Sequence, residues 1–235
     1  MINRFIQFAH RHRLLLFFVS LSCMLSIGLA FFRFYVTDTL IFSFLLWNLF
    51  LAAIPMGFAA LFCAFNKDSN KLVMVTVLGM WLLFFPNTPY ILTDLLHLYP
   101  RRGVPFWYDL VLIFTFAWNG VMLGYLSLLF IHNKIELFYG KVKAWFFSLS
   151  ALSMGAFGIY LGRFDRWNSW DILQEPIPLI KGIATYFVHP YANSMTWFIT
   201  GVIAAFLITG YAFIRQLSML GFNFENIKYK DPNNS

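Results

Sequence analysis

The residues best equipped for chemistry in this chain fall in three short stretches. The first is Phe85-Pro86-Asn87-Thr88-Pro89-Tyr90-Ile91-Leu92-Thr93-Asp94-Leu95-Leu96-His97-Leu98. If a short helix restarts at Pro89 and runs to about 99, Tyr90, Thr93, Asp94 and His97 share one face at about 100° per residue. Asp94 and His97 could then act as an acid/base pair. They could also be two ligands of a metal that Asp109, Asp171 or His189 completes. No His-Glu-x-x-His, no Glu-x-x-His and no cysteine ligand accompanies them, so the expectation is no metal and no cofactor.

The second stretch is Arg101-Arg102-Gly103-Val104-Pro105-Phe106-Trp107-Tyr108-Asp109. Its arginines could grip a lipid phosphate or neutralise Asp94 and Asp109. Trp107 and Tyr108 are residues of a membrane interface. Asp109 reads first as a cap on the helix that follows. The third stretch is Gly162-Arg163-Phe164-Asp165-Arg166-Trp167-Asn168-Ser169-Trp170-Asp171. If it is helical, Arg163, Arg166, Trp167 and Trp170 share a face, with guanidinium over indole. That face is either an anion clamp or an ion-pair network welding the loops together, and both stay open. Asn168 followed by Asp171 is a helix-start signature.

The elements that must position these groups are set by composition. Of 235 residues, 60% are hydrophobic and 11% charged, where soluble domains carry about 25% charge. A soluble or disordered chain is excluded, because a water-facing surface needs polar groups this sequence lacks. Six apolar runs, 14–32, 40–63, 72–92, 110–131, 144–162 and 195–214, contain no Lys, Arg, Asp or Glu. Each approaches the roughly 20 residues needed to span a bilayer as a helix. Arg4, Arg11 and Arg13 precede the first run without a small-residue cleavage site after it, so it reads as a retained span. Pro86 and Pro89 should break the third span. A broken span is tolerated where protein or a watery cavity satisfies the freed backbone, so Asn87, Asp94 and His97 are expected to line such a cavity.

The net charge of +7 reads as a topology signal rather than a nucleic-acid footprint. The N-terminal tail, 64–71, 132–143 and the C-terminal tail hold eleven of the 17 Lys and Arg; 33–39, 93–109 and 163–194 hold six, matched by six acids. The positive-inside rule then places both termini in the cytoplasm. Cys23 and Cys63 lie inside apolar runs and read as lipid-facing or packed small hydrophobes. Asn48 and Asn119 are read as inter-helix hydrogen bonders, or as residues on a substrate path. Gly120/Gly124 and Gly158/Gly162 are spaced for close helix crossing. The stretch 175–193 reads as an interfacial or re-entrant segment, and residues 223–235 as a polar cytoplasmic tail after one transmembrane domain, 1–222. No Gly-x-Ser-x-Gly and no phosphate-binding glycine loop occurs, which disfavours a serine hydrolase of that type and nucleotide chemistry.

The Phe85–Ile91 run with Thr93, Asp94 and His97, then Trp107-Tyr108-Asp109, Gly158-Ile159-Tyr160-Leu161-Gly162-Arg163 and Arg166-Trp167-Asn168-Ser169-Trp170-Asp171 resemble the bacterial integral-membrane family catalogued as domain of unknown function 1361. The resemblance covers most of the chain from the second span to the sixth. It implies a multi-pass bacterial membrane protein and carries no catalytic role.

The sequence therefore sets out an all-α bundle of six transmembrane helices in a bacterial plasma membrane, with a broken third helix and short interfacial helices on the outer face. Its expected partners are the bilayer, an anionic lipid or lipid-linked substrate, or another membrane protein. Asn87, Tyr90, Asp109, Arg163, Arg166, Trp167, Asn168, Trp170 and Asp171 are the candidate ligand-binding residues. Asp94 and His97 are the candidates for catalysis if the same pocket is an enzyme acting on a lipid-linked phosphate or ester. A small-molecule permease using Asn48 and Asn119 is the remaining alternative.

Overall fold

In a bilayer each apolar run must satisfy its own backbone, and a helix does so internally. The computed structural model describes residues 10, 12–66, 69–101 and 103–228, the last nine by backbone alone. Its elements are α1 (Arg13–Thr37), α2 (Ser43–Cys63), α3 (Lys71–Phe84), the single turn α4 (Asn87–Tyr90), a 3₁₀ segment (Ile91–His97), α5 (Phe106–Tyr139), α6 (Lys141–Phe164), the short α7 (Asp171–Gln174), α8 (Pro176–Val188) and α9 (Ser194–Lys228). Among the described residues six helices are long and apolar enough to cross a membrane, counting α3 through the 3₁₀ segment as one.

Several elements outrun their sequence limits. The fourth span extends from the expected 110–131 to Phe106–Tyr139 and has the largest buried share of the six. The helix of α9 continues to Lys228, into the stretch read as a polar tail. Arg4, Arg11, Lys67, Arg102 and Lys230 of the charge count, with residues 229–235, lie outside the described residues. Six crossings return the chain to the end at which it began. There the His12 ring lies 4.8 Å from that of Phe130, and Arg215 of α9 pairs with Glu136 of α5. The opposite, loop-rich end carries the connections around 38–42, 98–105 and 165–175. Helix α8 is apolar but too short to span. Only its Leu179 is buried, as befits an interfacial segment.

The third span breaks where the prolines require it, yet the restart differs from a regular α-helix over 89–99. One α turn passes into 3₁₀ geometry as far as His97. The restart has no side-chain cap, although Thr88 before Pro89 is a residue type suited to capping; its hydroxyl donates to the Phe85 carbonyl at 2.8 Å. That carbonyl, which Pro89 cannot serve with an N–H, also accepts the Thr88 N–H at 3.1 Å. The Asn87 side chain donates to the Phe84 carbonyl at 3.0 Å, and the Ser169 hydroxyl to the Leu83 carbonyl at 3.0 Å. Three consecutive carbonyls beside the break, those of Leu83, Phe84 and Phe85, thus each accept from a side chain.

The spaced glycines seat this break rather than simply bringing straight helices together. A Cβ on Gly120 would fall 2.4 Å from the Thr88 carbonyl oxygen, one on Gly124 2.3 Å from the Thr88 hydroxyl, and one on Gly158 2.7 Å from the Pro86 ring. Helices α5 and α6 therefore form a ledge of bare backbone on which residues 86–91 rest. Below it Trp81 stacks near Phe85 at 4.5 Å and donates to Ser127 at 3.2 Å.

This seating predicts that Gly124→Ala destabilises the protein by about 1–3 kcal/mol through overpacking. Gly57→Ala, whose Cβ meets nothing within 4 Å, should leave the melting temperature in detergent unchanged or raised. Equal melting curves for the two variants would contradict the ledge.

Candidate functional site

At the loop-rich end, three spans meet on one carboxylate. Asp94, on the 3₁₀ segment, is 1% exposed. Asn48 of α2 donates to its Oδ2 at 2.8 Å, and Arg163 of α6 places Nη1 3.6 Å from its Oδ1. The Nη2 of Arg163 donates to the Thr93 carbonyl at 2.8 Å, satisfying a backbone group of the 3₁₀ segment. Asn48 is therefore the inter-helix hydrogen bonder its position suggests. Asn119 has the same role elsewhere, donating to the Ser22 carbonyl at 3.1 Å and the Ser26 hydroxyl at 2.7 Å.

The other residues of the expected polar face separate. Tyr90 packs on α6, where a Cβ on Gly162 would approach its ring to 3.1 Å. Thr93 donates to the Tyr90 carbonyl at 2.7 Å. His97 is exposed, its ring 5.2 Å from Phe44 and edge-on to it. Asp94 faces the interior while His97 faces out, and no hydrogen bond joins them. Asn87 reaches Ser169 at 2.9 Å, linking the break to the loop after α6.

Asp109 is not the helix cap its position suggests. The N-terminus of α5 has no side-chain cap. Asp109 is buried and accepts from Arg33 instead, Nε to Oδ1 at 2.9 Å and Nη2 to Oδ2 at 3.4 Å. The physical reason is depth. A carboxylate one turn inside a span must be paired, and the cation nearest the end of α1 supplies the pair more completely than helix N–H groups could. Arg33 completes its hydrogen bonds with Thr37 and, at 3.1 Å, with Thr39. Sequence reading used Arg33 only as a topology charge. Its usable signal is an arginine adjoining an apolar run, where a buried partner becomes necessary. Neither Asp94 nor Asp109 pairs with Arg101, and Arg102 lies outside the described residues.

The third constellation is not one helical face. Helix α6 ends at Phe164, and Arg166 has a left-handed φ of 63°. Arg163, still on α6, reaches inward to Asp94, while the turn leaves Arg166 exposed, so the two do not form a single clamp. Trp167 ties its backbone N–H to Leu161 at 3.2 Å, and its indole lies near Gly182 of α8. Trp170 is half-buried. Among the described residues no arginine stacks on either indole; the arginine partners are Phe42 and Trp145. The Asn168 and Asp171 signature is present in one half, with Asp171 accepting the Asn168 N–H at 2.6 Å. Asp165 accepts from Tyr186 of α8 at 2.8 Å. Burial first, and then this hydrogen bond to a carboxylate, push the Tyr186 phenol above the ordinary tyrosine range, so it remains a neutral donor. Among the described residues no three of His, Cys, Asp and Glu converge as a metal site.

The fold and this polar cluster define an all-helical polytopic protein of the membrane-spanning class, with its polar residues most elaborately arranged at one end. The chain belongs to the family described as Protein of unknown function (DUF1361), which matches residues 47–209. The matched region includes Asn48, Asp94, Asp109 and Arg163, while Arg33 lies before it. No curated protein and no solved structure matches the chain.

Removing one partner of the Arg33–Asp109 pair leaves the other buried and uncompensated. Asp109→Ala is expected to cost about 3–5 kcal/mol in detergent unfolding, whereas the double variant Arg33→Met/Asp109→Leu should recover most of it. Additive losses would show that the two groups do not act as a pair.

Proposed function

We propose that the chain lies in a bacterial plasma membrane with both termini in the cytoplasm, and that its outward, loop-rich end binds an anionic lipid headgroup or a lipid-linked substrate. The charge asymmetry of the connections supports the orientation. The observation that carries the binding reading is the buried Asn48–Asp94–Arg163 lock. Ionisable groups at membrane depth are expensive and gather at sites of function. This one fixes α2, the broken third span and α6 beneath a surface that offers His97, Arg166, Asn168 and the half-buried Trp170. A rigid support of this kind holds surface groups in a defined geometry.

An acid/base enzyme is less well supported. Asp94 is closed from solvent and committed to two partners, and His97 points elsewhere. A permease is less well supported because the interior along Trp81, Phe85 and Phe147 is aromatic-packed. Asn48 and Asn119 each spend their amides on neighbouring elements.

Two measurements test the reading. An impermeant maleimide applied to intact cells should label Asn168→Cys and spare Ser69→Cys; the reverse pattern inverts the orientation. Native mass spectrometry of the purified protein should show retention of phosphatidylglycerol over phosphatidylcholine. Arg166→Gln should keep the wild-type melting temperature while losing several-fold in that retention, as expected on removing one guanidinium–phosphate contact. Undiminished retention in Arg166→Gln, or none in the wild type, overturns the binding surface proposed here.

A further inference from the structure

A second feature of the loop-rich end involves no side chain of the Arg163 cluster. Between the end of α1 and the turn before α5 lies an open cavity of about 530 Å³. Its polar lining is Arg33, Thr37, Thr39 and Arg101, and its apolar lining includes Val36 and Ile41. The two arginines differ in what they have left to give. Arg33 is spent, its charge matched by Asp109 and its remaining N–H groups directed at Thr37 and Thr39.

Arg101 is not spent. It makes no ion pair among the described residues, and its Nε is buried without a hydrogen-bond partner. Its Nη2 makes one long bond, 3.4 Å, to the His97 carbonyl. Its guanidinium lies over the Phe42 ring at 5.1 Å from the centroid, and that ring also carries Arg33 at 5.5 Å. Two cations thus share one aromatic ring beside a single buried carboxylate, leaving an uncompensated charge and an orphan donor. The exposed Asp38 stands between Thr37 and Thr39 in the chain, but it neither lines the cavity nor pairs with Arg101. An anion in the cavity would give the Arg101 guanidinium the counter-charge that no carboxylate among the described residues supplies.

We propose that this cavity binds a phosphate group. A guanidinium presents a rigid fork of donors that suits phosphate oxygens. The Thr39 hydroxyl accepts from Arg33 at 3.1 Å and gives its proton to the Thr37 hydroxyl at 2.8 Å, so Arg101 is the donor this wall has left for a ligand. Thr37 gives its own proton to the Arg33 carbonyl at 2.7 Å. The turn is built closely against this wall. Gly103 holds a φ of 98°, and a Cβ there would lie 2.8 Å from the Thr37 methyl group. Exposed Tyr35, Tyr99, Phe106 and Trp107 lie on the same elements. Such aromatics mark the headgroup level of a bilayer, a depth accessible both to phospholipid phosphate and to phosphate in solution.

The test uses the full chain in phosphatidylcholine nanodiscs. One arm titrates inorganic phosphate by calorimetry, and the other measures retention of phosphatidic acid by native mass spectrometry. Wild-type binding in either arm is expected. Arg101→Gln should weaken it about tenfold, on the scale of one charge-assisted hydrogen bond, while Lys71→Gln at the opposite end of the molecule leaves it unchanged. Binding in the lipid arm alone identifies a headgroup site, and binding in the free-phosphate arm identifies a solute site. If Arg101→Gln does not fold, Arg101→Lys takes its place. It keeps the charge but loses Nε and the fork, and should still weaken binding. No binding in either arm, or binding that survives the Arg101 substitution, overturns the proposal. Because the Arg163 surface is probed through Arg166, failure at one site leaves the other standing.

Discussion

The rest of the structure depends on one rule of the bilayer interior, that a backbone carbonyl at membrane depth must have a donor. The two prolines of the third span remove donors and break the helix, and the protein answers at the neighbouring Leu83, Phe84 and Phe85 carbonyls with the Ser169, Asn87 and Thr88 side chains. Each answer has a structural consequence. Ser169 belongs to the loop after α6, so that loop is fixed against the break. Thr88 must sit deep between α5 and α6, which is possible because Gly120, Gly124 and Gly158 expose bare backbone there. The bent course of the chain then delivers Asp94 to Asn48 and Arg163.

Charge is handled by the same economy. Three arginine–carboxylate pairs, Arg33–Asp109, Arg163–Asp94 and Arg215–Glu136, each join two different spans. Two of them end on α5, one near each terminus of that helix. Buried pairs of this kind contribute less to net stability than to uniqueness of arrangement, since the penalty for any mispaired packing is an isolated charge. At the end where α1 begins, His132 adds a bond to Ser148 at 2.8 Å and lies edge-on to Trp145. The junction of α5, α6 and α9 is thereby held by polar as well as aromatic contacts.

The fold was legible because length and hydropathy dominate in lipid. Six uncharged runs of about the right length leave little freedom, and Pro86 with Pro89 marked the interruption. Boundaries were less legible, since α5 extends beyond its uncharged run by tolerating Asp109 and Glu136 as paired groups. The site was legible in part. Asn48, Asp94 and Arg163 were each visible as polar residues, but their meeting depends on three separate spans. The face drawn through Arg163, Arg166, Trp167 and Trp170 failed because the chain leaves the helix at Phe164, and Arg166 takes a left-handed conformation that local spacing does not announce. Arg33 was hidden for the opposite reason. Its partner is 76 residues away, so the one local signal, an arginine adjoining an apolar run, marks the need for a partner and not its identity.

The length of α5 has a mechanical meaning. Asp109 and Glu136 are 27 positions apart along it, which at 1.5 Å per residue is about 40 Å. That is close to the full thickness of a bilayer including its headgroup layers. The helix is a strut clamped near both ends by ionic rivets, so it cannot shorten when the surrounding lipid thins. It must lean instead, and whatever leans with it carries the polar end of the molecule along.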